Sequence, residues 1–266
     1  MQNSALQTSW RAGSNVSLTF AAATAPSVSL VIPTLNEAEN LRVLLPRLPD
    51  WVQEIIIVDG HSTDGTPEVA RSLRSDVRVT MQPIKGKGAA LRAGFAAAEG
   101  DIIIALDADC SMHPREIVLL LGALMAGADF VKGSRFLQGG GTADMSLFRM
   151  AGNWSLTQLV RLLYGGSFSD LCYGYFGFWT RHAPLLAPTC DGFEVETFLN
   201  LTALKSGMTV MEVPSFEELR LHGKSNLRAI PDGWRVLKTI LRERVRSRRP
   251  DKATVVWNGG DAYHRG

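Results

Sequence analysis

The stretch ALDADCSMHP, residues 105–114, carries two carboxylates one residue apart, Asp107 and Asp109, directly after the apolar run Ile102, Ile103, Ile104. In extended backbone, residues i and i+2 face the same way. Carboxylates held that close repel unless something positive stands between them. A hard dication removes the conflict: Mg2+ or Mn2+ takes one or two protein carboxylates and completes its shell with waters and phosphate oxygens. The plainer alternative is that Asp109 or Ser111 caps the following helix.

Other residues of chemical interest stand at similar punctuation points. In VDGHSTDGT, Asp59 follows an apolar run and can accept from a ribose hydroxyl or a base N–H. Asp64-Gly65 reads equally well as a turn, and His61 as a solvated loop histidine. KGKG, residues 85–88, can present backbone amides to an anion at a helix start, with a tight turn as the alternative; a Walker A sequence is absent. Arg135, Arg220, Lys224 and Arg228 are cations that can meet phosphates. Glu194 and Glu196 can serve as a general base, although at i, i+2 on a helix at most one faces a site. First-turn charge on the helix dipole is the competing explanation.

Alternating elements must position these groups. VSLVI (28–32), closed by Pro33, EIIIV (54–58), VRVTM (77–81), DIIIALD (101–107) and DFVKG (129–133) read as strands. Between them lie helical stretches: NEAENLRVLLPRL, TPEVARSL with Thr66 as N-cap and Pro67 first in the helix, KGAALRAGFAAAEG and PREIVLLLGALMAG. Runs apolar on both faces with helices between them imply a parallel sheet covered on both sides. Ligands of such sheets sit beyond the carboxyl ends of the strands, where Pro33–Glu37, Asp59, Lys85–Gly88, Asp107, Asp109 and Arg135 lie. Further on, SLFRMAGNWSLTQLVRLLYG and EVETFLNLTALKSG read as helices and MTVMEVP as a strand. DLCYGYFGFWT (170–180) is aromatic and glycine-rich, and a polar loop follows.

The 266 residues are 45% apolar with a net charge of +2, the make-up of a soluble globular protein rather than a nucleic-acid binder. Cys110, Cys172 and Cys190 form no CxxC pair, so free thiols in a reducing compartment are expected. No apolar run approaches the 18 residues or so of a membrane span. RVLKTILRERVRSRR (235–249) has seven basic residues and one acidic. Trp234, Leu237, Ile240, Leu241 and Val245 interleave with the arginines in a pattern close to that of a membrane-surface helix. A helix docked on the domain with a solvated basic face is the alternative. Residues 1–27 read as a flexible N-terminal extension and 248–266 as a flexible tail.

VIPTLNEAENL, IIIVDGHSTDGT, GKGAALRAGF, DADCSMHP, VKGSRF, SDLCYGYFGFW, GFEVE and RLHGKSNL occur in one order over residues 28–245. Together they resemble glycosyltransferase family 2, enzymes of the α/β GT-A fold, in the branch of dolichyl- or polyprenyl-phosphate sugar synthases. The resemblance implies a single GT-A domain over 28–247, with a Rossmann-like, mostly parallel sheet flanked by helices. Residues 28–135 form its nucleotide-sugar half and 136–247 its acceptor half. It implies inverting transfer of a hexose from a UDP- or GDP-sugar to a polyprenyl phosphate or a hydroxyl, dependent on Mg2+ or Mn2+. Pro33, Leu35, Glu37 and Asp59 match positions cradling base and ribose, and Lys85 and Ala108 join the donor-binding set. Asp107 and Asp109 match the metal and diphosphate motif, with Ser111 as a third metal contact. Arg135, Arg220 and Asn226 match phosphate-lining positions, and Glu194 the carboxylate near the acceptor. Gly60 stands where many members have a second aspartate, Leu35 where tyrosine is frequent, and Asn226 and His222 where the lipid-phosphate branch often has lysine and arginine. The implied partners are donor and acceptor, with peripheral membrane contact through the basic C-terminal helix. The implied location is cytoplasmic, at the inner face of a membrane. A sugar nucleotidyltransferase fits less well, because PTLNEAEN after the first strand is acidic where a basic glycine-rich loop is normal. A catalytically silent nucleotide-binding module is the other alternative.

Overall fold

The computed structural model describes residues 25–223 and 225–246. The proposed N-terminal extension up to residue 24, Lys224 and the tail lie outside the described residues. In chain order the elements of the first half are β1 (Val28–Thr34), α1 (Ala38–Leu44), β2 (Glu54–Asp59), α2 (Thr66–Leu73), β3 (Val77–Met81), α3 (Lys87–Ala97), β4 (Ile102–Ala105), α4 (Ile117–Met125) and β5 (Phe130–Ser134). The second half adds β6 (Gly141–Thr142), α5 (Leu147–Tyr164), β7 (Phe176–Trp179), α6 (Ala183–Leu186), α7 (Val195–Lys205), β8 (Val210–Pro214), β9 (Phe216–Glu217) and α8 (Ala229–Val245).

Seven strands form one sheet in the order β3-β2-β1-β4-β7-β5-β8. All neighbours pair in parallel except β7, which runs antiparallel between β4 and β5. Strand side chains alternate between two cores. Leu30, Ile32, Ile55, Ile57, Ile102 and Ile104 pack toward α1, α2 and α4. Val31, Ile56, Val58, Ile103, Phe176 and Phe178 pack toward α3 and α7. A third cluster, with Val160, Leu201, Val236 and Ile240, joins α5, α7 and α8. Among the described residues no helix is long and apolar enough to cross a membrane.

Several local expectations are corrected. β1 continues through Pro33 to Thr34. The β4 ladder ends at Val31, so the missing N–H of Pro33 falls where one neighbouring strand has gone. Gly65, at φ +81°, is the N-cap of α2, while Thr66 and Pro67 are its first two residues. The Thr66 hydroxyl instead accepts from the Glu37 N–H and donates to Asp64. β4 stops at Ala105, so Asp107 and Asp109 belong to the loop beyond it and not to one face of a strand. The aromatic, glycine-rich stretch contains β7, a strand central to the sheet.

Candidate active site

The loop after β4 sets the first pair of charges. Cys110 takes φ +64°, which turns the chain so that the Ser111 N–H and hydroxyl both donate to Asp109 Oδ1, at 3.0 and 2.7 Å. Asp109 Oδ2 lies 2.7 Å from the Arg220 guanidinium. Both Asp107 oxygens lie 2.8 Å from Lys87 Nζ, which also sits 2.8 Å from Glu196 Oε1. Each aspartate therefore faces its own cation. Burial lifts the Asp107 carboxyl to about 6; the Lys87 charge opposes the rise, and Asp109 and Glu196 add to it. Burial works against the Lys87 ammonium, but the carboxylates of Asp107 and Glu196 outweigh it and hold the amine well above its ordinary value.

A second set of contacts lays the late polar loop over this one. Arg220 spans Asp109 and Glu37, the latter at 3.2 Å. Asn40 donates to Glu37 and to the His222 carbonyl and accepts from the His222 N–H. The Leu221 N–H reaches the Asp109 carbonyl at 3.2 Å, and the Glu218 N–H the Ser111 carbonyl at 2.8 Å. Burial pushes the Glu37 carboxyl up, against the pull of Asn40 and Arg220.

Two cavities meet at these charges. One lies over the ends of β1 to β4 and is lined by Pro33, Leu35, Gly60, Gln82, Ala108 and Asn226. The other lies between α5 and α8, lined by Phe148, Leu156, Leu227 and Val236 together with Arg149, Tyr173 and Glu196. Lys87, Asp107, Asp109 and Arg220 line both.

The structure thus gathers Pro33, Leu35, Glu37, Asp107, Ala108, Asp109, Ser111, Arg220 and Asn226 around the joined cavities. Four other expected site residues are placed differently. Asp59 is fully buried; its Oδ2 accepts from the Ser62 N–H at 2.8 Å and its Oδ1 from the Thr34 hydroxyl at 3.3 Å. Lys85 is exposed and lines neither cavity. Arg135 reaches the second cavity but is 4% exposed. Its guanidinium is committed to Asp170 at 2.7 and 2.9 Å, to both Glu217 oxygens at 3.1 Å and to the face of Tyr173. Glu194 lines neither cavity, whereas Glu196 lines the second.

The KGKG glycines have a packing reason. A Cβ on Gly86 or Gly88 would lie 2.0 or 2.2 Å from the carbonyl oxygens of Asp191 and Cys190. The Gly88 N–H is spent on Asp191 O. Sequence reasoning passed over Lys87 and Gln82. A lysine at the first position of a helix opposes the dipole, and that breach was the available signal for Lys87. Gln82, directly after β3, had only its place at a strand end.

Among the described residues no three His, Cys, Asp or Glu side chains gather as metal ligands. The donor set nevertheless suits a dication that arrives with a diphosphate: Asp107 and Asp109 supply hard oxygens, Ser111 a hydroxyl, and the phosphates the rest. Lys87 and Arg220 are the present partners of those carboxylates.

A mostly parallel sheet with a paired-aspartate loop beyond its fourth strand, facing two joined cavities, defines a glycosyltransferase of the GT-A class. The chain belongs to glycosyl transferase family 2, whose family model matches residues 29–183. It is 30% identical to the glycosyltransferase AglJ of Haloferax volcanii over 82% of this chain and 72% of that protein. It is 32% identical to the polyprenol monophosphomannose synthase of Mycolicibacterium smegmatis over 72% of this chain and 78% of that one. Some relatives are longer, and the chain spans 59% and 54% of two of them. Among solved structures, glucosyl-3-phosphoglycerate synthase from Mycobacterium tuberculosis with Mn2+, UDP-glucose and phosphoglyceric acid aligns with a TM-score of 0.66. The identity is 26%, over 89% of this chain and 86% of that one.

Proposed function

We propose that this glycosyltransferase moves a hexose, with inversion, from a nucleoside diphosphate sugar to a polyprenyl phosphate at the inner face of a membrane. The observation that carries the reading is the position of Asp107 and Asp109 where the two cavities meet. One cavity sits at the strand ends where nucleotides bind in open α/β sheets. The other carries apolar side chains of two helices, Phe148 and Leu156 of α5 and Val236 of α8, beside its charged groups, and suits an isoprenoid tail behind its phosphate.

The chain's own residues divide the work. Pro33 and Leu35 hold the nucleoside, and Asn226 lines the same cavity on the phosphate side. Arg220, already 2.7 Å from Asp109, sets a positive charge beside the diphosphate, and Lys87 stands at the same junction. Fixed charges aimed at a departing anion stabilise the transition state. Mg2+ or Mn2+, bound through Asp107, Asp109 and Ser111, would supply further neutralisation of the leaving nucleoside diphosphate. An acceptor phosphate oxygen bonds to the anomeric carbon as the bond from that carbon to the diphosphate breaks on the opposite face. One such displacement inverts the centre.

The carboxylates bear on the acceptor. A hydroxyl needs a base. Glu194 lies outside the cavities, and Glu196 is tied to Lys87 at 2.8 Å. A phosphate monoester, with a second pKa of about 6, is already anionic near neutral pH and needs none. The name of the Mycolicibacterium relative, a polyprenol monophosphomannose synthase, supports the same choice.

Thermal unfolding with UDP or GDP, each with and without Mn2+, tests the donor side. A ligand at about a hundred times its Kd adds roughly 2.7 kcal/mol, on the order of 5–10 °C for a chain of this size. The expected outcome is a shift with at least one nucleotide that grows with Mn2+ and loses its Mn2+ dependence in Asp109→Asn. No shift with either nucleotide contradicts the reading.

A further inference from the structure

We infer that Gln82 reads the donor's base and that its side chain favours uracil over guanine; this rests on the nucleoside diphosphate donor proposed above. Gln82 follows β3 directly and is 5% exposed. Its backbone is locked at both polar groups: its N–H donates to the Asp59 carbonyl at 3.0 Å, and its carbonyl lies 3.0 Å from His61 Nε2. Its side-chain amide lines the first cavity and makes no hydrogen bond to another described residue. An amide at the wall of a binding cavity with no hydrogen-bond partner among the described residues is free to meet a ligand there.

Gly60 makes room for it. A Cβ there would lie 3.2 Å from Gln82 Nε2, 3.0 Å from the Thr34 carbonyl and 3.4 Å from Leu35 Cδ1. The absence of a side chain at residue 60 therefore keeps the amide and the apolar Leu35 open to the same space. A flat base with Leu35 against it and its polar edge toward Gln82 fits that geometry.

The hydrogen-bond inventory selects between the two donor bases. A glutamine amide offers one donor group and one acceptor side by side. Uracil presents N3–H beside a carbonyl, which this pair complements in two bonds. Guanine presents O6 and N1–H as the same acceptor–donor pair, which the amide can also take, but it carries a further donor beside them, the N2 amino group, and the natural complement of N1–H and N2 together is a carboxylate. Neither nearby carboxylate is free for that task. Asp59 is fully buried on Ser62 and Thr34, and Glu37 is held by Asn40 and Arg220. Guanine bound here would keep its N2 amino group without an acceptor, and unpaired polar groups discriminate strongly in buried sites.

Isothermal titration with UDP and GDP in the presence of Mn2+, on wild type, Gln82→Ala and Gln82→Glu, tests this. Wild type is expected to bind UDP about tenfold or more tighter than GDP, the equivalent of one good hydrogen bond. Gln82→Ala should weaken UDP by about tenfold through loss of the amide pair. Gln82→Glu should move the preference toward GDP. GDP bound as tightly as UDP by wild type, UDP affinity unaltered in Gln82→Ala, or a UDP:GDP ratio unaltered in Gln82→Glu overturns the inference and leaves the donor reading standing. The wild-type ratio decides the point even where a variant folds poorly. Binding of neither nucleotide overturns the donor reading and this inference with it.

Discussion

Lys87 is the first residue of α3, where its charge opposes the positive end of the helix dipole. Its ammonium sits between Asp107 and Glu196, 2.8 Å from each, and that pairing offsets the unfavourable placement. The paired aspartates were legible in the sequence because their spacing after an apolar run is local information. Lys87 is obscured by the glycines around it, which in sequence point to backbone amides instead. Arg135 was legible as a cation at a strand end, but its commitments to Asp170 and Glu217 join residues 35 and 82 positions away, and no local pattern announces them. That buried cluster has a pH signature. Burial alone would raise the Asp170 carboxyl, but the charge and hydrogen bonds of Arg135 outweigh it and hold the group below the ordinary carboxylate range. A depressed carboxyl contributes stability above its unfolded pKa of about 3.9 and loses that contribution as pH falls through the folded value. Urea unfolding is therefore expected to show wild-type stability falling below about pH 4. In Asp170→Asn stability should be lower at pH 7 by about 3–5 kcal/mol, and the fall in acid shallower. An unchanged acid limb in the variant contradicts the assignment.

Among the elements, α8 has a buried and an exposed face. Asp232, Val236, Thr239, Ile240 and Glu243 are buried against the body of the protein. Ile230, Trp234, Leu241 and Val245 are exposed along the opposite side, with Lys238, Arg242 and Arg244 beside them. The structure shows the docked helix, one of the two alternatives posed from sequence, and its outer side carries the apolar and basic residues that suggested the other. Ile240 belongs to the docked side, because its register places it with Val236. α5 packs beside α8 and adds exposed Leu147, Trp154 and Leu162. Apolar residues ringed by cations suit an anionic lipid surface, where each Lys or Arg contributes about 1 kcal/mol. Vesicle flotation at low salt is expected to carry the protein up with anionic but not with neutral vesicles. Replacing Trp234 and Leu241 together by glutamate should reduce the floated fraction several-fold. Wild type left in the bottom fraction with anionic vesicles removes the membrane contact from the account.

At the scale of the whole molecule, the parallel part of the sheet was readable because β1 to β5 are short apolar runs separated by helical stretches, each carrying its own periodicity. β7 was not. Its four residues, Phe176–Trp179, include a glycine and follow a tyrosine-rich loop. They become a strand by filling the gap between β4 and β5, with Phe176 and Phe178 stacked on Phe130. That insertion places Tyr173 and Gly174 against the paired aspartates' cavity, so a tertiary event completes the site. The joined cavities are likewise a product of assembly, since their walls come from both halves of the chain. Their meeting at Asp107 and Asp109 is the basis for the central claim, transfer of a sugar onto an anionic lipid. The most direct measurement offers the purified protein UDP- and GDP-hexoses with Mn2+ and either a polyprenyl phosphate or the corresponding polyprenol, with products identified by mass spectrometry. A polyprenyl phosphohexose is expected from the phosphate and no product from the alcohol. Glycosylation of the alcohol, or no transfer to the phosphate from any donor that binds, contradicts it.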